Sequence, residues 1–223
     1  MTYTLAIADR IYSSWSLRGW LLFEKFELDV TIRTAKMRQP EFLEMLADFG
    51  PAKLVPAMLV DEVPVWDTLA MAETLAERHP DKGFWPKDPA ARACARSLTA
   101  EMHSGHTALR NDCTMNLRHR YEGFNPSDAV LADVERVELL WKTARAFNIG
   151  GPWLFGSYSI ADVFYAPVAT RFATYGLPAS PDAQAYIDAH LNDPALRKWR
   201  EAGLAENYVQ PGYDLDLPTR DWQ

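Results

Sequence analysis

One change of texture divides this chain of 223 residues. Between Tyr3 and Arg78, short β-rich runs alternate with short amphipathic stretches. From Ala90 onward only helical periodicity and helix punctuation remain. The stretch between them, His79 to Pro89, holds Pro80, Gly83, Pro86 and Pro89, a composition that suits a linker. The pattern predicts a small α/β domain at 1–79, a linker at 80–89, and an all-helical domain with an irregular tail at 90–223.

Within the first part, Tyr3 to Ala8 and Val30 to Thr34 read as strands joined by a helix over Ser14 to Phe26. Leu17, Trp20, Leu21 and Phe23 form the buried side of that helix, and Arg18, Glu24 and Lys25 are interleaved with them. Pro40 to Ala47 is a second short helix with Pro in its first turn. Ala57 to Val60 and Val63 to Val65 are separated only by Asp61 and Glu62, so they form a tight hairpin. Asp67 to Arg78 closes the unit as a helix. The order βαβ, α, ββα is that of a thioredoxin-like domain.

The second part offers a helix from Ala90 to about Arg118 with an apolar stripe through Cys94, Leu98, Met102, Gly105 and Leu109. Further helices follow over Ser127 to Phe147, Ser159 to about Thr174 and Pro181 to His190, and from Asp193-Pro194, which has the form of a cap followed by Pro. No strand is expected after the linker, and the stretch from Glu206 reads as irregular.

Bulk composition excludes several functions. Thirty acids against 23 bases leave a net charge of −7, the wrong sign for phosphate neutralisation or a polybasic membrane anchor. No apolar stretch approaches the ~20 residues of a membrane span, and MTYTLAIADR lacks the basic-then-apolar run of a signal peptide. A soluble, cytoplasmic protein is expected, with no nucleic-acid or membrane partner. Cys94 and Cys113 have neither C-x-x-C nor metal-ligand spacing and read as small hydrophobes.

Three separated segments resemble one superfamily, the cytosolic glutathione transferases. Tyr12-Ser13-Ser14-Trp15-Ser16-Leu17-Arg18 is similar to the Ser-Ser-Cys-Ser-x-Arg loop of the zeta class, which includes maleylacetoacetate isomerases. Pro51-Ala52-Lys53-Leu54-Val55-Pro56, with the run from Val65-Trp66-Asp67-Thr68 to Leu75, resembles the superfamily's Val-Pro turn and its acid–Ser/Thr segment. Gly156 to Asp162, followed by Ala166-Pro167, resembles the capping box of the helical domain. Ser159 and Asp162 form that box, with Tyr158 and Val163 placed as a hydrophobic staple, and the role is structural.

The resemblance implies a thioredoxin-like domain joined to a helical glutathione-transferase domain, a homodimer, and glutathione as co-substrate with no metal. The chemistry suits the first loop. A free thiol of pKa ~8.5 is only a few per cent thiolate at neutral pH, and a helix N-terminus favours the anion. Lowering that pKa by about two units takes roughly 2.7 kcal/mol, within reach of a helix terminus plus one charge-assisted hydrogen bond. By resemblance Ser13 is the donor, with Tyr12 and Ser14 as alternatives, although Ser13 or Ser14 would also serve simply to cap the helix. Ser14, Lys53, Val55, Pro56, Asp67 and Thr68 are the implied glutathione contacts. Val55-Pro56 is the implied cis bond, and Asp67 and Thr68 are also natural caps.

The second-substrate site is read from Trp15, His103, His106 and Arg110. Trp15 stands where the zeta loop has Cys, which removes the motif's thiol. His103, His106 and Arg110 at i, i+3 and i+7 should share one helix face; two His without a third ligand make no metal site. Arg110, Arg118 or Arg171 could receive an acidic substrate. The leading expectation is a transferase that adds glutathione to a small electrophile. Its alternatives are a glutathione-dependent cis–trans isomerase and a non-enzymatic binding module.

Overall fold

The computed structural model describes residues 1–148 and 150–222. Its first part is a four-stranded sheet of order β2-β1-β3-β4, made of β1 (Tyr3–Ile7), β2 (Thr31–Thr34), β3 (Ala57–Val60) and β4 (Val63–Val65). β1 and β2 are parallel with Leu5 opposite Ile32, whereas β3 runs antiparallel to β1 and to β4. Alternation along β1 separates two cores. Leu5 and Ile7 join the main core, on the side of α1 (Ser14–Glu24) and α3 (Thr68–Arg78). Ala6 belongs instead to a smaller cluster with Met45 and Leu46 of α2 (Pro40–Ala47). Asp61 and Glu62 take φ of 47° and 70°, the left-handed pair that lets a two-residue turn match strand twist. This is the expected thioredoxin-like arrangement.

The second part holds α4 (Pro89–Ser104), α5 (Thr107–Asp112), α6 (Asp128–Arg145), α7 (Ile160–Tyr175), α8 (Pro181–Leu191) and α9 (Pro194–Leu204). Ser127, Ser180 and Asp193 cap their helices by accepting backbone N–H groups of the first turn. α7 is central: it is buried at every position but Ala173 and packs against α1, α4 and α8. Its start is the anticipated box, in which the Ser159 N–H donates to Asp162 at 2.9 Å. No helix among the described residues is long and apolar enough to cross a membrane.

Several expectations are corrected. The helix predicted over Ala90 to Arg118 is two helices, because α4 ends at Gly105 and His106 turns left-handed at φ 53° before α5 begins. The apolar stripe survives the break, since Met102 and Leu109 are both fully buried, but the chain between them is not helical. His103, His106 and Arg110 therefore do not share a helix face. His106 is buried with Nδ1 4.0 Å from Asp133, and it lines neither of the two hollows described below. A strand pair does follow the linker: β5 (Arg120–Tyr121) pairs with β6 (Thr219–Arg220), so the expected irregular tail folds back onto the helical part. Arg18, interleaved with the polar residues of its helix, is only 1% exposed because α7 covers it, and its Nε donates to the Phe164 carbonyl at 2.9 Å.

Candidate functional site

The turn from β1 into α1 sets up the site. The Ser13 N–H donates to the Asp9 carbonyl at 2.8 Å, and Ser13 then becomes the N-cap of α1. Its hydroxyl accepts from the Ser16 N–H at 3.3 Å and lies 2.8 Å from the Ser16 hydroxyl, which also receives the Ala8 N–H at 2.9 Å. Capping is therefore a role Ser13 does fill here. The first turn of α1 presents amides that no helical carbonyl can satisfy, beginning at Ser14.

Beside this turn lies a cleft of about 400 Å³ whose lining includes Trp15, Lys53, Val55, Pro56, Asp67, Thr68 and His103. The sequence placed these residues far apart, and the fold brings them together. The Val55–Pro56 bond is cis. Asp67 caps α3 by accepting the Leu69 N–H at 3.0 Å, and its other oxygen meets His103 Nε2 at 2.8 Å, tying α3 to α4. Thr68, the first residue of α3, is buried.

Pro56 is positioned from below by Gly19, where an added Cβ would sit 2.7 Å from the Pro56 Cβ. Gly19→Ala is expected to gain helix propensity yet lose about 1–2 kcal/mol overall through that clash. Thermal unfolding should show Tm lowered by roughly 2–8 °C.

A second hollow, of about 240 Å³, meets the first at Trp15, Leu54 and Val55. Ser13 and Ser14 line it from one side, and Arg110, Thr114, Arg171 and Tyr213 line it from others. Arg171 is 4% exposed; its Nε donates to the Cys113 carbonyl at 2.7 Å and its Nη1 to the Pro167 carbonyl at 2.8 Å. Arg110 donates to the Gly105 carbonyl at 3.2 Å, and its guanidinium lies 5.0 Å from the Trp15 ring centre. Arg18 approaches the same ring at 4.4 Å, and His103 packs on it edge-on at 5.1 Å.

These three guanidiniums are held by carbonyls, sulfur and rings, and none has a carboxylate partner among the described residues. Burial pushes Arg171 down to about 10, and burial together with the neighbouring Arg171 and Arg110 charges holds Arg18 well below its ordinary value. Positive charge gathered without a counter-charge is costly and suits an anion.

Of the remaining candidates, Arg118 is committed elsewhere: its Nε donates to the Tyr12 hydroxyl at 3.1 Å, and it also bonds the Glu206 and Tyr208 carbonyls. Burial pushes the Cys113 thiol up to about 12, in keeping with a small core side chain. Among the described residues no group of three or more His, Cys, Asp or Glu side chains is placed to hold a metal ion. Sequence reasoning missed Thr114 and Tyr213 altogether, since neither sits in a motif.

A sequence profile described as "Glutathione S-transferase, N-terminal domain" matches residues 12–78. The chain is 30% identical over 171 residues to the maleylacetoacetate isomerase of Mus musculus, covering 75% of this chain and 77% of that one. The chain belongs to the glutathione S-transferase family. A protein of Caenorhabditis elegans named a probable maleylacetoacetate isomerase is 29% identical over 194 residues, which is 79% of this chain and 87% of that one. Among solved structures, a glutathione transferase homologue from Burkholderia, with bound glutathione, superposes at a TM-score of 0.69 and 21% identity. That match covers 92% of this chain and all 100% of that one, so the glutathione transferase fold runs through nearly the whole molecule. These findings agree with the zeta-type resemblance of the first loop. The matched N-terminal segment runs from the Tyr12 loop to the end of α3, and so contains every residue of the first cleft except His103.

Proposed function

We propose that the first cleft binds glutathione and that its thiolate adds reversibly to the activated double bond of a small carboxylate held in the second hollow. In the productive cycle the thiolate attacks the β-carbon, and the π electrons move onto the carbonyl as an enolate. The resulting single bond rotates, the double bond re-forms in the other geometry, and the thiolate departs unchanged. Glutathione is then a co-substrate that is not consumed, and the protein is a glutathione-dependent cis–trans isomerase, the activity for which its relatives are named.

The observation that carries this reading is the pair Arg110 and Arg171, which have no carboxylate partner among the described residues, in the hollow that also reaches Ser13 and Ser14. A dicarboxylate or keto acid would supply the missing anion next to the thiolate. In this reading the α1 N-terminus and the Ser13 hydroxyl lower the thiol pKa, with Ser14 beside it. Lys53, the backbone of Val55, Asp67 and Thr68 hold the peptide. Trp15 in place of the zeta-type Cys favours a second reading, stable conjugation to a small electrophile, because the motif's thiol is gone.

Calorimetric titration with glutathione, with ultraviolet detection of bound thiolate against pH, tests the common core. Wild type should bind, with the bound thiol about two units below its free value. Ser13→Ala should raise that pKa by about one unit or more, and should cost about 1 kcal/mol of stability as a lost cap. Absence of binding overturns the reading; an unchanged pKa in Ser13→Ala moves the donor role to Ser14 or Tyr12. Proton NMR of an unsaturated diacid then separates isomerisation, with glutathione constant, from conjugation, with glutathione consumed.

A further inference from the structure

After α9 the chain turns back over residues 206–222, and β6 near the end of this segment pairs with β5. Polar bonds hold much of this segment in place. The Glu206 carboxylate pairs with Arg10 and Lys36, and Arg118 donates to the Glu206 and Tyr208 carbonyls. Asn116 donates to Asp214 at 2.6 Å, the Leu215 N–H to the Tyr121 hydroxyl at 3.1 Å, and the Trp222 indole N–H to the His119 carbonyl at 3.0 Å. Apart from Lys36, these anchors lie in the β1–α1 loop, whose Tyr12 and Ser13 line the hollow, and in residues 116–121, which directly follow the lining residues Thr114 and Met115.

Tyr213 is the residue of this segment that lines the hollow. Gly212 precedes it with φ 82°, a conformation that glycine adopts without strain. The Tyr213 ring packs on Tyr12 at 5.2 Å, and Tyr12 is in turn held by Arg118, which also fastens the start of the segment. A single aromatic side chain is thus delivered against the loop that carries Ser13. Tyr213 itself lies outside the strands and helices and is a half-buried neighbour of the main core, not a fully buried member of it, so its side chain can be changed with little loss of core packing.

We propose that residues 206–222 form a fitted wall of the acceptor hollow and that Tyr213 is a specificity-determining residue, restricting the acceptor to short carbon chains. This inference rests on the proposed glutathione reading. S-alkyl glutathiones probe it directly, because the S-substituent must project from the thiol position into the second hollow. Calorimetry would compare glutathione, S-methylglutathione and S-hexylglutathione on wild type, Tyr213→Ala, Tyr213→Leu and Tyr213→Phe.

Tyr213→Ala is expected to shift the S-hexyl to S-methyl affinity ratio at least tenfold toward S-hexyl, while the glutathione Kd stays within about twofold. Tyr213→Phe, which keeps the ring, should retain the wild-type ratio. If Tyr213→Ala fails to fold, Tyr213→Leu should show the shift in the same direction. An unchanged ratio in a folded Ala or Leu variant that still binds glutathione overturns the wall while leaving the glutathione reading intact. Failure of wild type to bind glutathione overturns both.

Discussion

Asp162→Ala is expected to cost about 3–5 kcal/mol of folding stability and to lower Tm by roughly 10 °C, read by urea and thermal unfolding. The carboxylate is fully buried at the start of α7 and collects four donors. Oδ1 takes the Leu154 N–H at 3.0 Å and the Tyr186 hydroxyl at 2.9 Å, and Oδ2 takes the Ser159 N–H at 2.9 Å and its hydroxyl at 3.0 Å. Alanine leaves all four unpaired in the packed centre of the helical part, and each orphaned donor forfeits the hydration it gave up on folding.

The cost should also depend on pH in a definite direction. Burial outweighs the hydrogen bonds and pushes the Asp162 carboxyl up from 3.8 to about 6. Between those two values the folded chain holds a proton that the unfolded chain has lost, so this group's contribution to stability falls as pH rises through that window and is level above it. The stability gap between wild type and Asp162→Ala should therefore widen on acidification from pH 7 toward pH 4, by an amount on the order of 3 kcal/mol. A gap that stays constant or narrows would show that the carboxyl is not held in its neutral form by burial.

Local chemistry made this start of α7 visible in the sequence, and the same holds for most of the α/β part. Two residues between Val60 and Val63 leave room for nothing but a tight hairpin, and Pro40 and Asp193-Pro194 mark helix starts because a Pro in the first turn gives up no helical hydrogen bond. The break at Gly105–His106 was hidden for the opposite reason. Met102 and Leu109 both face the core, so an apolar stripe continued across a point where the backbone does not. Periodicity reports which side chains are buried, not whether one helix carries them; Gly105 within the pattern was the local cue. β5 and β6 are two residues each and 99 positions apart between Arg120 and Thr219, so no local pattern could announce them.

The candidate site divides along the same line. Apart from His103 near the end of α4, the residues of the first cleft come from turns, strand ends and helix starts, whose backbone demands leave a signature in sequence. The second hollow is assembled by packing: Arg171 sits mid-helix on α7, Thr114 follows α5, and Tyr213 arrives on the returning C-terminal segment. Arg18, which lines neither hollow but packs on Trp15 beside them, was more misleading still. An arginine among Glu24 and Lys25 looks solvated, and only the approach of α7 reveals that its charge is buried under Trp15 and Phe164.

Arg171→Met should separate the energetic role of this buried cluster from its chemical one. Methionine roughly preserves the apolar stem and removes a charge that has no carboxylate partner among the described residues. Replacing a buried, uncompensated ion with an apolar side chain relieves desolvation, but it also leaves the Cys113 and Pro167 carbonyls with fewer donors. The two effects oppose each other, so stability should stay within about 2 kcal/mol of wild type. Activity should not be spared. If Arg171 receives the acceptor's carboxylate, the lost charge-assisted hydrogen bond is worth about 2–3 kcal/mol of transition-state binding, or roughly 30–150-fold in kcat/KM. That loss should be confined to acceptors bearing the carboxylate. Turnover of the matching methyl ester and the KM for glutathione should stay nearly unchanged, since the first cleft does not include Arg171. Equal losses for acid and ester would mean that Arg171 shapes the hollow without reading its charge, and Arg110 would then be the remaining candidate for that role.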